Sequence, residues 1–261
     1  MKLAFFDSGV GGLSVLHHAM KILPQEEFIF FADEDNVPYG TKSRQEVLRL
    51  VDAAFEFLTA QGAQAIVVAC NTATSVAVRR MREKFSLPII GMEPALKVAL
   101  DLFPARKVLV TATAITITGE KIRRLITRLH AEKFTELRAL SELVTFAERQ
   151  EFTSSAVENY LRGELAPYDW ENFSSLVLGC THFNYFKDTF RKILPPHVKI
   201  LDGNAGTVNE LIRRTKLQAR PSKTRGGSVE FFYSARRVTD SAELSRLKKF
   251  LARLDEMEAI S

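Results

Sequence analysis

Seven short, mostly apolar runs that do not alternate with polar residues set the tightest limit on how this chain folds. They are Leu3–Phe6, Phe28–Ala32, Ala65–Ala69, Pro88–Gly91, Lys107–Val110, Ser175–Leu178 and Val198–Leu201. A strand with one wet face alternates, whereas a strand covered on both faces does not. Helical patterns lie between the runs. The clearest opens on Ser43-Arg44-Gln45-Glu46, which has the form of a capping box. Val47, Val51, Ala54, Phe55 and Leu58 then make one apolar stripe, and Gly62 is a suitable stop. Strand and helix in alternation predict an α/β fold with mainly parallel sheets.

With 261 residues, 46% hydrophobic and 26% charged, the chain suits one large domain or two small ones. Its formal net charge of +5 favours anionic ligands in a general way. The basic cluster from Arg213 to Arg225 contains Pro221, Gly226 and Gly227 and no interleaved aromatics. It reads as a solvated loop, and a nucleic-acid surface is not expected there. Two cysteines cannot build a disulfide framework or a four-ligand zinc site. His17, His18, His130 and His197 have no ligand spacing, so no metal is expected. The opening apolar run is too short for a signal peptide, and no stretch reaches the length of a membrane span. A cytoplasmic location with both thiols free is the expectation.

Ligands in open parallel sheets bind beyond the carboxyl ends of the strands, so the polar residues there carry the chemistry. Asp7-Ser8-Gly9-Val10-Gly11-Gly12 follows the first run. Its glycines permit tight turns and leave backbone N–H groups free to hold an anion. The spacing fits neither a dinucleotide fingerprint nor a P-loop, which leaves a carboxylate open. A plain turn with Asp7 as a cap is the competing reading. Pro38-Tyr39-Gly40 makes a second turn, in which Tyr39 either brackets a ligand or simply packs on the surface.

Cys70 and Cys180 each follow a buried run. Ala65-Ile66-Val67-Val68-Ala69-Cys70-Asn71-Thr72 echoes Ser175-Leu176-Val177-Leu178-Gly179-Cys180-Thr181-His182. One buried cysteine is usually a small hydrophobe. Two in the same setting suggest related lobes and a shared role. Both precede residues able to start a helix, where a thiol tends toward thiolate. His182 is placed to exchange a proton with Cys180, and Asp7 could serve Cys70 if their strands are neighbours.

These blocks resemble the glutamate racemases of bacterial cell-wall synthesis. The match runs through Asp7-Ser8-Gly9-Val10-Gly11-Gly12-Leu13, Pro38-Tyr39-Gly40, Ala69-Cys70-Asn71-Thr72-Ala73 and Leu178-Gly179-Cys180-Thr181-His182-Phe183, in family order. Ala112-Thr113 with Thr116 is a further element. The resemblance implies two pseudo-symmetric lobes with the active site in the cleft between them. The lobes would be residues 1–93 completed by 207–261, and residues 94–206. It implies Cys70 and Cys180 as the acid/base pair, aided by Asp7 and His182, with no cofactor and no metal. Substrate contacts would fall on Asp7, Ser8, Tyr39, Gly40, Asn71, Thr72, Thr113, Thr116, Thr181 and His182. L- and D-glutamate would be the substrates, D-glutamate would feed peptidoglycan and so cell shape, and the protein would be a homodimer. Asn184, Asp202-Gly203-Asn204 and Gly91-Met92-Glu93-Pro94 depart from the usual pattern without touching the pair. An aspartate racemase usually carries Glu where this chain has His182. A non-catalytic amino-acid-binding protein would need no paired thiols. An added nucleic-acid or partner role would use the Arg213–Arg225 segment.

Overall fold

In the computed structural model, which describes residues 1–260, every one of the seven runs forms a strand. The strands are β1 (Lys2–Asp7), β2 (Glu27–Ala32), β3 (Ala65–Val68), β4 (Ile89–Gly91), β5 (Lys107–Ala112), β6 (Thr135–Ala139), β7 (Phe173–Leu178), β8 (Lys199–Asp202), β9 (Ser228–Tyr233) and β10 (Arg236–Arg237). They form two sheets, ordered β10-β9-β2-β1-β3-β4 and β6-β5-β7-β8. All pairings are parallel except β9 with β10.

Within each sheet the first four strands along the chain stand in the spatial order second, first, third, fourth. The sequence echo around the cysteines is therefore a topological one. Cys70 follows the third strand of one sheet, and Cys180 follows the third strand of the other.

Packing shows why the runs do not alternate. Leu3 and Phe5 of β1 enter one apolar cluster, while Ala4 and Phe6 enter another on the opposite face. In β5, Leu109 faces one way and Val108 and Val110 the other. Helices cover both faces, so alternate side chains are all buried. The helix Arg44–Ala60 starts as its capping box dictates. Ser43 Oγ accepts from the Glu46 N–H at 3.3 Å, and Glu46 Oε2 accepts from the Ser43 N–H at 2.9 Å. Gly62 ends it with a φ of 82°, a left-handed conformation that glycine adopts at no steric cost.

Two features depart from the sequence reading. Strands β6, β9 and β10 went unseen. β6 is an edge strand whose five residues are all half-buried and include Glu136 and Arg138, so it lacks the apolar signature. Arg213 and Arg214, expected in a loop, close the helix Asn204–Thr215 and pair with Glu210 at 2.7 and 2.9 Å. No helix among the described residues is long and apolar enough to cross a membrane.

Candidate active site

The parallel register brings the relevant strand ends together. Phe6 of β1 pairs with Val68 of β3, so Asp7 and Ser8 emerge beside Cys70. Thr111 of β5 pairs with Leu178 of β7, so Thr113 emerges on the same side as Cys180. The carboxyl ends of both sheets point at one cavity. Ser8, Pro38, Tyr39, Gly40, Cys70, Asn71, Thr72, Thr113, Cys180, Thr181 and His182 line it, with Val144 and Gly179. The two thiols thus share one chamber, each nearly buried at 6% and 7% exposure. Solvent-sized space inside amounts to about 10 Å³, room for roughly one water. The chamber is narrow, tighter than an amino acid needs.

The surroundings of the two thiols are opposite in charge. Ser8 Oγ lies 3.5 Å from Cys70 Sγ and 3.2 Å from Asp7 Oδ1, so hydroxyl and carboxyl stand in line behind the thiol. Cys70 caps the helix Asn71–Lys84 and accepts from the Ala73 N–H at 3.4 Å. The sequence reading expected that helix start to favour the thiolate. Burial and the Asp7 charge outweigh it and push the Cys70 thiol up to about 12. Cys70 therefore rests as a neutral thiol.

On the other side, His182 Nδ1 lies 3.8 Å from Cys180 Sγ, and its Nε2 lies 2.6 Å from Glu148 Oε1. Burial alone would lower the imidazole, but the bonds to Cys180 and Glu148 lift it well above its usual value. Glu148 is half-buried, which works to raise its carboxyl, yet His182, the Val10 N–H and Arg246 hold it below the ordinary range. Cys180 thus faces an imidazolium backed by a carboxylate. Cys180 precedes a 3₁₀ segment, Thr181–Phe186, rather than an α-helix, so His182 supplies the positive neighbour.

The remaining expected residues fall into two groups. Thr72, Thr113 and Thr116 form a triangle of hydroxyls 2.9 to 3.2 Å apart. Thr116 stands behind this cavity and lines an adjacent one, which Asn71 also borders. Tyr39 lines the cavity, buried rather than packed on the surface, and donates to Asp33 Oδ2 at 2.6 Å. Asp7 does not line the cavity. It is wholly buried behind Ser8, accepts from Thr181 Oγ1 at 3.0 Å and from the Gly9 N–H at 3.1 Å, and burial raises its carboxyl. Asn71 Oδ1 is buried with no hydrogen-bond partner, an acceptor left for something else. Among the described residues no group of three or more His, Cys, Asp or Glu is placed to hold a metal ion.

Paired thiols thus stand at equivalent strand ends of the two sheets and line one chamber. The Asp/Glu/hydantoin racemase family matches residues 14–211 of the chain. The chain belongs to this racemase family. It is 50% identical to the glutamate racemase of Campylobacter curvus over 98% of each chain. It is 52% identical to that of Campylobacter concisus over 100% of each. Its fold matches the crystal structure of Escherichia coli glutamate racemase in complex with L-glutamate and the activator UDP-MurNAc-Ala. That likeness has a TM-score of 0.80 at 29% identity and covers 95% of this chain and 94% of the other.

In this family member, one residue of the site is invisible to sequence reasoning. Glu148 ends the short helix Glu142–Glu148 and looks like any surface acid in the sequence. Its role appears only when the fold brings it to His182. The glycine run also differs from expectation. Its N–H groups do hold carboxylates, but the protein's own: Gly9 donates to Asp7, and Val10 to Glu148 at 3.0 Å.

Proposed function

We propose that this racemase interconverts L- and D-glutamate without a cofactor, by proton transfer between Cys70 and Cys180, and so supplies D-glutamate for peptidoglycan. The observation that carries this is the shared chamber with one thiol at each of its two equivalent strand ends. The full-length likeness to glutamate racemases and the solved relative holding L-glutamate support the choice of substrate.

Inversion requires a proton to leave one face of the α-carbon and another to arrive on the opposite face. In the L-to-D direction the two thiols take opposite parts. Cys180, beside the His182 imidazolium, takes the α-proton as thiolate and becomes a thiol. Cys70, held as a thiol, gives its proton to the other face of the carbanion and becomes a thiolate. The Ser8 hydroxyl stands beside the new charge, with Asp7 behind it. In the D-to-L direction Cys70 is the base and Cys180 the acid.

The carbanion needs oriented donors, because no electron sink is present in the scheme. Thr72, Thr181 and the amide nitrogen of Asn71 meet the α-carboxylate. The unpartnered Asn71 Oδ1 accepts from the ammonium group, a contact that Asp7, behind Ser8, is too recessed to make. Ser8 and the backbone near Gly40 hold the side-chain carboxylate. The narrow chamber leaves the two thiols as the groups that exchange protons with the α-carbon. Substrate binding then requires the two sheets to part and close again. The two lobes, residues 1–93 with 207–261 and residues 94–206, are the bodies that move.

Chirality-sensitive optical assays of L- and D-glutamate and L- and D-aspartate test the substrate. Both glutamate enantiomers are expected to racemise, with aspartate slower by at least about tenfold. A pocket set for the longer chain loses roughly 1–3 kcal/mol when one methylene is missing. Faster turnover of aspartate would transfer the assignment to aspartate racemase, and no turnover of any of the four would favour a binding protein.

A further inference from the structure

The geometry points to Arg246, on the helix Ser241–Met257, as a positioning residue that holds Glu148 aimed at His182. This inference rests on the two-thiol reading above and deepens it. Arg246 touches neither thiol and does not line the chamber. Its guanidinium spans two acids from different parts of the chain. One nitrogen donates to Glu34 Oε1 at 2.5 Å, just beyond β2. The other donates to Glu148 Oε2 at 3.1 Å and to the Glu148 carbonyl at 3.2 Å. Tyr233 and Phe250 pack against its flat face, with centroids 5.8 and 5.3 Å away, which fixes the fork in place.

Glu148 has two oxygens, and each has a separate task. Oε1 receives His182 Nε2 and the Val10 N–H. Oε2 receives Arg246. A carboxylate gripped at one oxygen and along its own backbone cannot rotate, so Oε1 stays on the imidazole. The imidazole in turn keeps Nδ1 toward Cys180 Sγ.

The charges around this chain make Arg246 necessary. Facing His182 and Glu148 are Asp7, Glu34, Cys180, Tyr185 and Arg246. Arg246 is the sole lysine or arginine among them. Glu34 and Glu148 feel each other's charge, and burial already raises Glu34. Without the guanidinium, two half-buried carboxylates compete for one imidazolium, and one takes up a proton. A protonated Glu148 leaves His182 without its anchor and Cys180 without its cation.

The pH dependence follows in sign. Removing Arg246 raises the Glu148 carboxyl, so the acid limb of kcat/KM moves to higher pH. Arg246→Met is expected to lower kcat by roughly 10- to 100-fold while KM changes less than about threefold. The acid limb should rise by about one pH unit. Arg246→Lys keeps the charge but cannot span both acids, and should fall between Met and wild type. Glu34→Gln removes the competing acid, so the limb should move the opposite way, to lower pH. Shifts of opposite sign cannot arise from impaired folding, so Glu34→Gln set against Arg246→Lys decides the matter even where Arg246→Met does not fold. Unshifted limbs in Glu34→Gln and Arg246→Lys, or equal losses at all pH values, overturn the inference. A wild-type protein that racemises no amino acid sinks the functional reading instead, before any variant is compared.

Discussion

Alanine in place of either Cys70 or Cys180 is expected to end racemisation in both directions, with losses of at least about 1,000-fold, toward the upper range of a single proton-transfer group. The reason is geometric. Each thiol occupies its own strand end, and the other titratable groups lining the chamber are His182, which stands behind Cys180, and Tyr39, whose hydroxyl is bonded to Asp33. Losing one base therefore leaves one face of the α-carbon without a donor. The two variants should nevertheless differ. With Cys180 gone, Cys70 remains able to remove the α-proton of D-glutamate and return one to the same face. Label would then wash out of D-glutamate without inversion, and none would leave L-glutamate. Cys70→Ala should show the mirror pattern. Optical rotation reports inversion, and proton NMR of the α-position reports exchange. Two-way turnover near the wild-type rate in either variant contradicts the assignment.

Gly11→Ala is expected to lower kcat/KM by about 100-fold, the cost of misplacing a reacting group by roughly an ångström. A Cβ at Gly11 would lie 2.4 Å from His182 Nδ1 and 2.5 Å from Thr181 Oγ1. Neither neighbour is the far end of a flexible side chain. His182 is 2% exposed and held at its other nitrogen by Glu148, and Thr181 is bonded to Asp7. The added methyl group must push the imidazole off Cys180 or push its own strand–helix turn outward. Overpacking of this kind also costs roughly 1–3 kcal/mol of stability. Activity and thermal unfolding measured side by side separate the two effects, because the catalytic loss should persist at temperatures where the variant remains fully folded. Wild-type kinetics in this variant would show that the turn gives way and the imidazole keeps its place.

The same glycine shows what the sequence could and could not reveal. The run from Asp7 to Gly12 is legible as a place where backbone comes close to a carboxylate. What approaches, however, is His182 and Glu148 from more than 130 residues away. The buried strands were readable because both faces are covered, so their apolar residues run on without interruption. β6 was not, since an exposed edge carries charges that any helix or loop could carry. The matching cysteine segments were visible as an echo, and the sheet order gives that echo its meaning. The adjacency of Asp7 and Cys70 needed the β1–β3 register. The expectation of an acidified Cys70 failed on magnitude, because a single helix end cannot offset complete burial beside a carboxyl group. Glu148 and Arg246 had no local signal at all. An acid at a helix end and an arginine on an amphipathic helix are the commonest of surface residues, and only the fold joins them behind His182.

The most direct measurement of the central claim follows a single enantiomer in deuterium oxide during the first few per cent of reaction. Starting from L-glutamate, two opposed thiols predict that every D-glutamate formed carries deuterium at the α-carbon, while the remaining L-glutamate keeps its protium. Starting from D-glutamate, the mirror result is expected. Protium retained in the inverted product, or deuterium entering the unreacted enantiomer as fast as inversion occurs, would mean one base serving both faces and would contradict the account.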